Sequence, residues 1–224
     1  MNNVFIFGDC HTARVWSHHK TSLQPNMNLK MWGKPGLKIW EIDFKQMVEE
    51  GLISAGVESV IHEVEFETKI NFSEIKNADV ILPWLGYIDI RQMFPKYKNS
   101  WLIAKYYVDE IVKNFGDKKI IFIEPLPQFT EMLLKYPGIS PEYSWEDRIE
   151  QNDLFIKHLN ENIKKHGLPA PITQKEIHEA VGRDKFTTDM THLKAPHPVD
   201  GLKDEYNEKI YNLFMKRINE FLED

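Results

Sequence analysis

The stretch Val4-Phe5-Ile6-Phe7-Gly8-Asp9-Cys10-His11 sets the fold of this chain. Four consecutive apolar residues closed by a glycine suit a strand buried on both faces, with a turn at its carboxyl end. Asp9, Cys10, His11 and Thr12 then stand where open parallel sheets keep their chemistry, just past the carboxyl ends of the strands.

Working outward, Asn28 to Trp32 reads as a second strand closed by Gly33 and the Pro35-Gly36 pair. Glu41 to Glu50 carries apolar and acidic residues at helical spacing, and Ser59 to Phe66 alternates as a strand does. Ala78 to Leu82 is a strong buried strand ending in Pro83-Trp84-Leu85-Gly86, followed by the loop Gly86-Tyr87-Ile88-Asp89-Ile90-Arg91. Trp101 to Phe115 predicts an amphipathic helix stopped by Gly116, and Lys119 to Ile123 the next strand, ending at Glu124-Pro125.

Ser144 can cap a helix running to about His166, because Asp147 stands three residues later and Ile149, Leu154, Phe155, His158 and Leu159 approximate one face. A last helix is expected from about Leu202 to Leu222, with Tyr206, Ile210, Leu213, Phe214, Ile218 and Phe221 on one stripe. This alternation argues for one α/β domain over residues 1–224, with a mainly parallel sheet of about five strands covered on both faces. Residues 125–145, rich in Pro, Tyr, Phe and Gly without a clear period, are expected to form a loop or lid over the site.

Composition narrows the function. Lys plus Arg number 28 against 34 Asp plus Glu, a net charge of -6, so the electrostatic footprint of nucleic-acid or anionic-membrane binding is missing. No apolar run is long enough to span a bilayer, and Met1-Asn2-Asn3 leads straight into the first strand without a basic n-region or cleavage site, which predicts a cytoplasmic protein. The single cysteine, Cys10, excludes an intramolecular disulfide and otherwise reads as a small buried hydrophobe or a reactive thiol.

The residues with chemical potential fall into ordered blocks. Asp189-x-x-His192, just before the last helix, lets one short turn present an imidazole as general base beside a carboxylate that fixes its tautomer. Cys10, delivered from the first strand, completes a nucleophile–base–acid set, and a thiol beside an imidazole and a helix start can ionise to a thiolate.

Gly8-Asp9-Cys10 is similar to the G-D-S block of the SGNH (GDSL-like) hydrolases, with cysteine in place of the serine nucleophile, and Asp189-x-x-His192 resembles their D-x-x-H block in spacing and position. Gly86-Tyr87-Ile88-Asp89 resembles their G-x-N-D block, with Ile88 where the family has an asparagine. Gly-x-Ile-Asp-x-Arg resembles a subgroup of SGNH-like proteins from phages and bacteria.

The resemblance implies a three-layer α/β/α, flavodoxin-like fold. It also implies a cofactor-free esterase or acyl transferase acting on a small-molecule or glycan ester, for instance an acetyl group on a carbohydrate. By the same likeness Cys10, Asp189 and His192 are catalytic, and Gly33 (or Gly36) supplies an oxyanion-hole N–H. Arg91 stands in for the missing asparagine donor, and Asp9, His11 and Asp89 line the site. Loss of such a donor typically costs about 100- to 1000-fold in rate.

Three explanations of the cysteine stay open: a working thiol nucleophile, an inactive descendant, or a substitution that disables the enzyme. Two other functions stand beside this one. One is an inactive SGNH-fold module that binds glycans, with Trp84, Tyr87, Phe94, Trp101, Tyr106 and Tyr107 as either a sugar-stacking surface or core. Alternatively, Asp9-x-His11 after a first strand is how calcineurin-like metallophosphoesterases begin, although G-D-x-x-D-R-G and G-N-H-[DE] are missing here. Nothing in the sequence fixes the oligomeric state.

Overall fold

The structure is a computed structural model that describes residues 2–9, 12, 27–33, 37–50, 75–90, 94–126, 144–181 and 205–223. Strands β1 (Asn2–Gly8), β2 (Met27–Gly33), β3 (Val80–Trp84) and β4 (Lys119–Ile120) form a parallel sheet in the order β2-β1-β3-β4. An isolated parallel bridge between Ile123 and Ile172 adds a fifth chain segment beyond β4. The expected strand at 59–66 lies outside the described residues.

Both faces of the sheet are covered, which is why β1 reads as an unbroken apolar run rather than an alternation. Val4 and Ile6 point into a core with Val80, Leu82, Ile177, Ile210, Phe214 and Ile218, under helices α5 (Gln174–Val181) and α6 (Glu205–Glu223). Phe5 and Phe7 enter a second core with Ile81, Phe44, Met47, Tyr107, Phe155 and Leu159. That face is covered by α1 (Phe44–Glu50), α3 (Ser100–Phe115) and α4 (Trp145–Lys165); α2 (Phe94–Tyr97) packs on α4. The result is a three-layer α/β/α arrangement.

Four elements differ from the sequence expectations. The strand expected to end at Leu82 continues through Pro83 to Trp84, because Pro83 still offers its carbonyl, which accepts from the Ile123 N–H at 3.1 Å. Pro83 has no N–H to return, and this confines the ladder with β4 to Lys119–Ile120 rather than Lys119 to Ile123. Helix α4 starts at the expected Ser144–Asp147 capping box, but its inward stripe is not the expected one. Ile149 is exposed, and Arg148, Gln151 and Asn152 are buried ahead of Phe155 and Leu159. Helix α5 was not anticipated, although Thr173 and Glu176 cap each other reciprocally at its start, a Thr-x-x-Glu signal present in the sequence.

Candidate functional site at the carboxyl ends of the strands

Strands β1, β2 and β3 end together. Gly8 stands opposite Gly33 on one side and Trp84 on the other. A Cβ added to Gly8 would lie 2.1 Å from the Trp84 carbonyl oxygen and 2.3 Å from Thr12 Oγ1, so only glycine lets the chain leave β1 and turn into the helical residue Thr12. The Asp9 N–H donates back to the Trp84 carbonyl at 3.4 Å. Beyond β3, Gly86 adopts φ +112 with Phe155 packed against it, a backbone state that side chains other than glycine rarely take.

Immediately beneath this edge lies a buried polar group of residues. Asp89 is 1% exposed, and its Oδ2 accepts the Ile39 backbone N–H at 3.2 Å. The loop after β3 is thereby tied to the 3-10 turn Ile39–Glu41 that follows β2. Burial pushes the Asp89 carboxyl up to about 7, the Ile39 hydrogen bond opposes this, the Asp9 carboxylate adds to it, and Lys38 weakly opposes. Asp9 is itself buried. Tyr107, reaching in from α3, has its hydroxyl raised well above its ordinary value, first by burial and then by Asp9 and Asp89, with the Leu85 backbone amide pulling the other way. Thr12 Oγ1 has no hydrogen-bond partner among the described residues.

A second buried carboxylate, Glu124, stands at the end of the β4 segment. Its Oε1 accepts from Asn160 Nδ2 at 2.9 Å and its Oε2 from the Gln174 N–H at 2.8 Å. Gln174 Nε2 in turn donates to the Pro125 carbonyl and to Asn152 Oδ1. Burial raises the Glu124 carboxyl, with the Asn160 and Gln174 bonds opposing.

Of the residues singled out in the sequence, Gly33 lies beside Gly8 at the sheet edge, and Asp9 and Asp89 are close enough for their charges to interact. Cys10, His11, Arg91, Asp189, His192 and the loop at 127–143 lie outside the described residues. Within the aromatic group, Trp84, Tyr87, Phe94 and Tyr107 are core, whereas Trp101 and Tyr106 are exposed. Sequence reasoning missed Glu124 and the exposed rings of Trp40 and Tyr97, since no spacing marks them.

Solved structures share this arrangement of a parallel sheet with helices on both faces. The fold is that of the GDSL-like hydrolases. A lipase/acylhydrolase from Enterococcus faecalis superposes with a TM-score of 0.58 at 15% identity, covering 97% of each chain. A GDSL-like lipase from Bacteroides thetaiotaomicron gives 0.59 at 14% identity, covering 97% of this chain and 87% of its own. No family model matches the sequence, and no curated protein matches it. At these identities the likeness establishes the GDSL-like fold and leaves the chemistry to the residues. No helix among the described residues is long and apolar enough to cross a membrane.

Proposed function

We propose that this protein hydrolyses or transfers an ester-linked acyl group, with an acetyl group on a carbohydrate as the substrate and Cys10, His192 and Asp189 as the triad. The observation that supports this most is the convergence of β1, β2 and β3 at Gly8, Gly33 and Trp84, where a forced glycine turn follows β1 directly before Cys10. A nucleophile in that position sits at the edge where open parallel sheets bind their ligands.

In this scheme His192 takes the Cys10 thiol proton as Sγ attacks the ester carbonyl carbon, and Asp189 orients the imidazole and stabilises its charged form. The backbone N–H groups of Cys10 and Gly33, with the Arg91 guanidinium, hold the oxyanion. Collapse of the tetrahedral intermediate breaks the C–O bond, and His192 returns the proton to the leaving alcohol, leaving a thioester on Cys10. Water, or an acceptor hydroxyl in the transferase variant, then attacks the thioester with His192 again as base, releasing the acyl group and restoring the thiol. No cofactor enters. Asp89 supports the site by pinning the Ile39 turn to the loop after β3, and the 125–145 segment serves as the lid of a single cytoplasmic domain.

The test is hydrolysis of p-nitrophenyl acetate by wild type, Cys10→Ser, Cys10→Ala and His192→Ala. Wild-type turnover should fall by about 1000-fold or more in both alanine variants. Undiminished turnover in Cys10→Ala would refute the triad, and turnover confined to Cys10→Ser would mark Cys10 as a disabling substitution.

A further inference from the structure

We propose that Trp40 and Tyr97 form a stacking platform for a pyranose ring of a neutral carbohydrate, at the rim of the candidate site. This deepens the esterase reading by placing the sugar side of the substrate; it rests on that reading for the reaction but not for the binding. Trp40 is 47% and Tyr97 49% exposed, and their ring centroids lie 6.3 Å apart at an interplanar angle of 55°. About half of each side chain faces solvent, so apolar ring area of both is exposed at this rim. A pyranose presents a matching apolar face of C–H groups with hydroxyls around its rim.

The two rings come from different connections at the functional edge. Trp40 belongs to the turn that Asp89 clamps through the Ile39 N–H, and it is flanked by a part-buried Lys38–Glu41 ion pair at 2.6 Å. Tyr97 closes α2, eight positions after Asp89 in the chain that leaves β3. Trp40 is therefore positioned by the same hydrogen bond that organises the site. Such pre-organisation lowers the ordering cost of binding.

The surrounding charges favour a neutral ligand. Lys38 is paired with Glu41, and Lys98, next to Tyr97, is paired with Asp147 and lies 4.0 Å from Glu150. Among the described residues both lysines beside the rings are thus neutralised, which favours a neutral ligand over a phosphate or an anionic headgroup. Among the described residues the exposed large apolar side chains are mostly aromatic: Trp40, Tyr97, Trp101 and Tyr106, against Leu102 and Ile149. That balance suits ring stacking better than insertion into acyl chains.

The test measures binding by the intact protein, with tryptophan fluorescence and calorimetry. The probes are acetylated xylohexaose, acetylated mannohexaose and chitohexaose, alongside phosphatidylcholine vesicles. At least one oligosaccharide should bind, and Trp40→Ala and Tyr97→Ala should each weaken it by roughly 3- to 10-fold, while Trp40→Phe retains most of the affinity. Absence of oligosaccharide binding at about 10 mM, or affinity unchanged in Trp40→Ala/Tyr97→Ala, overturns the platform. So does vesicle binding that depends on these two rings. Because binding is read without turnover, a protein inert towards p-nitrophenyl acetate would remove the esterase reading and leave the platform standing. Ring-independent sugar binding by an active enzyme would do the reverse.

Discussion

Asp89 and Glu124 are both buried carboxylates at the carboxyl edge of one sheet, and the protein keeps them on different terms. Glu124 has a donor for each oxygen, and the side chain that reaches it, Asn160, comes from a helix. Asp89 has a backbone amide on one oxygen, with a second acid and the Tyr107 hydroxyl nearby. A satisfied buried charge ties elements together, whereas a crowded one marks a place where the fold bears a cost. The crowded acid lies close to Asp9 at the end of β1, and the satisfied one ties α4 and α5 to the sheet.

The largest expected difference is in pH dependence. The Asp89 carboxyl is raised from 3.8 to about 7. Between those values the folded protein holds a proton that the unfolded chain releases, so stability falls as pH rises towards 7 and levels off above it. A shift of this size corresponds to at most roughly 4 kcal/mol. Asp89→Asn keeps an acceptor for the Ile39 N–H and removes the titration. Urea melts from pH 4 to 8 should therefore show a flatter profile for the variant, and a more stable protein than wild type at pH 8. Parallel profiles would show that Asp89 ionises freely in the native state.

Next comes Glu124→Ala, which removes an acceptor from two part-buried donors, Asn160 Nδ2 and the Gln174 N–H, of which Asn160 keeps its bond to the Ile156 carbonyl, and should cost about 1–2 kcal/mol in the same melts at pH 7. Glu124→Gln, retaining one acceptor, should cost about half of that. Equal losses in both would mean that the charge rather than the hydrogen bonds matters there, erasing the contrast with Asp89. The smallest effect is expected for Tyr107→Phe. The hydroxyl lies by the Leu85 backbone amide, and deleting it should change stability by no more than about 1 kcal/mol. A loss above that would reveal that the hydroxyl serves the acid cluster.

What the sequence disclosed follows the same division. The doubly covered sheet was legible because Val4 to Phe7 and Val80 to Trp84 are apolar without alternation, and the start of α4 because Ser144 and Asp147 form a local capping box. The inward face of α4 was not legible. Periodicity favours Ile149, but tertiary contacts bury Arg148, Gln151 and Asn152, with Gln151 accepting from Ser100 Oγ of α3 and Asn152 from Gln174 Nε2 of α5. Pro83 reads as a terminator, yet a strand inside a sheet tolerates it where only its carbonyl is used. At the site, Gly8 was readable as punctuation, but the clamp from Asp89 to Ile39 joins residues 50 positions apart and has no local signal. Exposure of Trp40 and Tyr97 was equally hidden, since composition does not separate a core ring from a surface one.

The strand order has a consequence for how the chain is made. β1 sits between β2 and β3, so Val4 to Phe7 has one free edge until Val80 to Trp84 has been synthesised. At ordinary ribosome speeds that interval lasts roughly 4–15 s, with an apolar, β-prone tetrapeptide able to pair with the wrong neighbour. A chaperone that shields nascent strands should therefore raise the yield of folded protein.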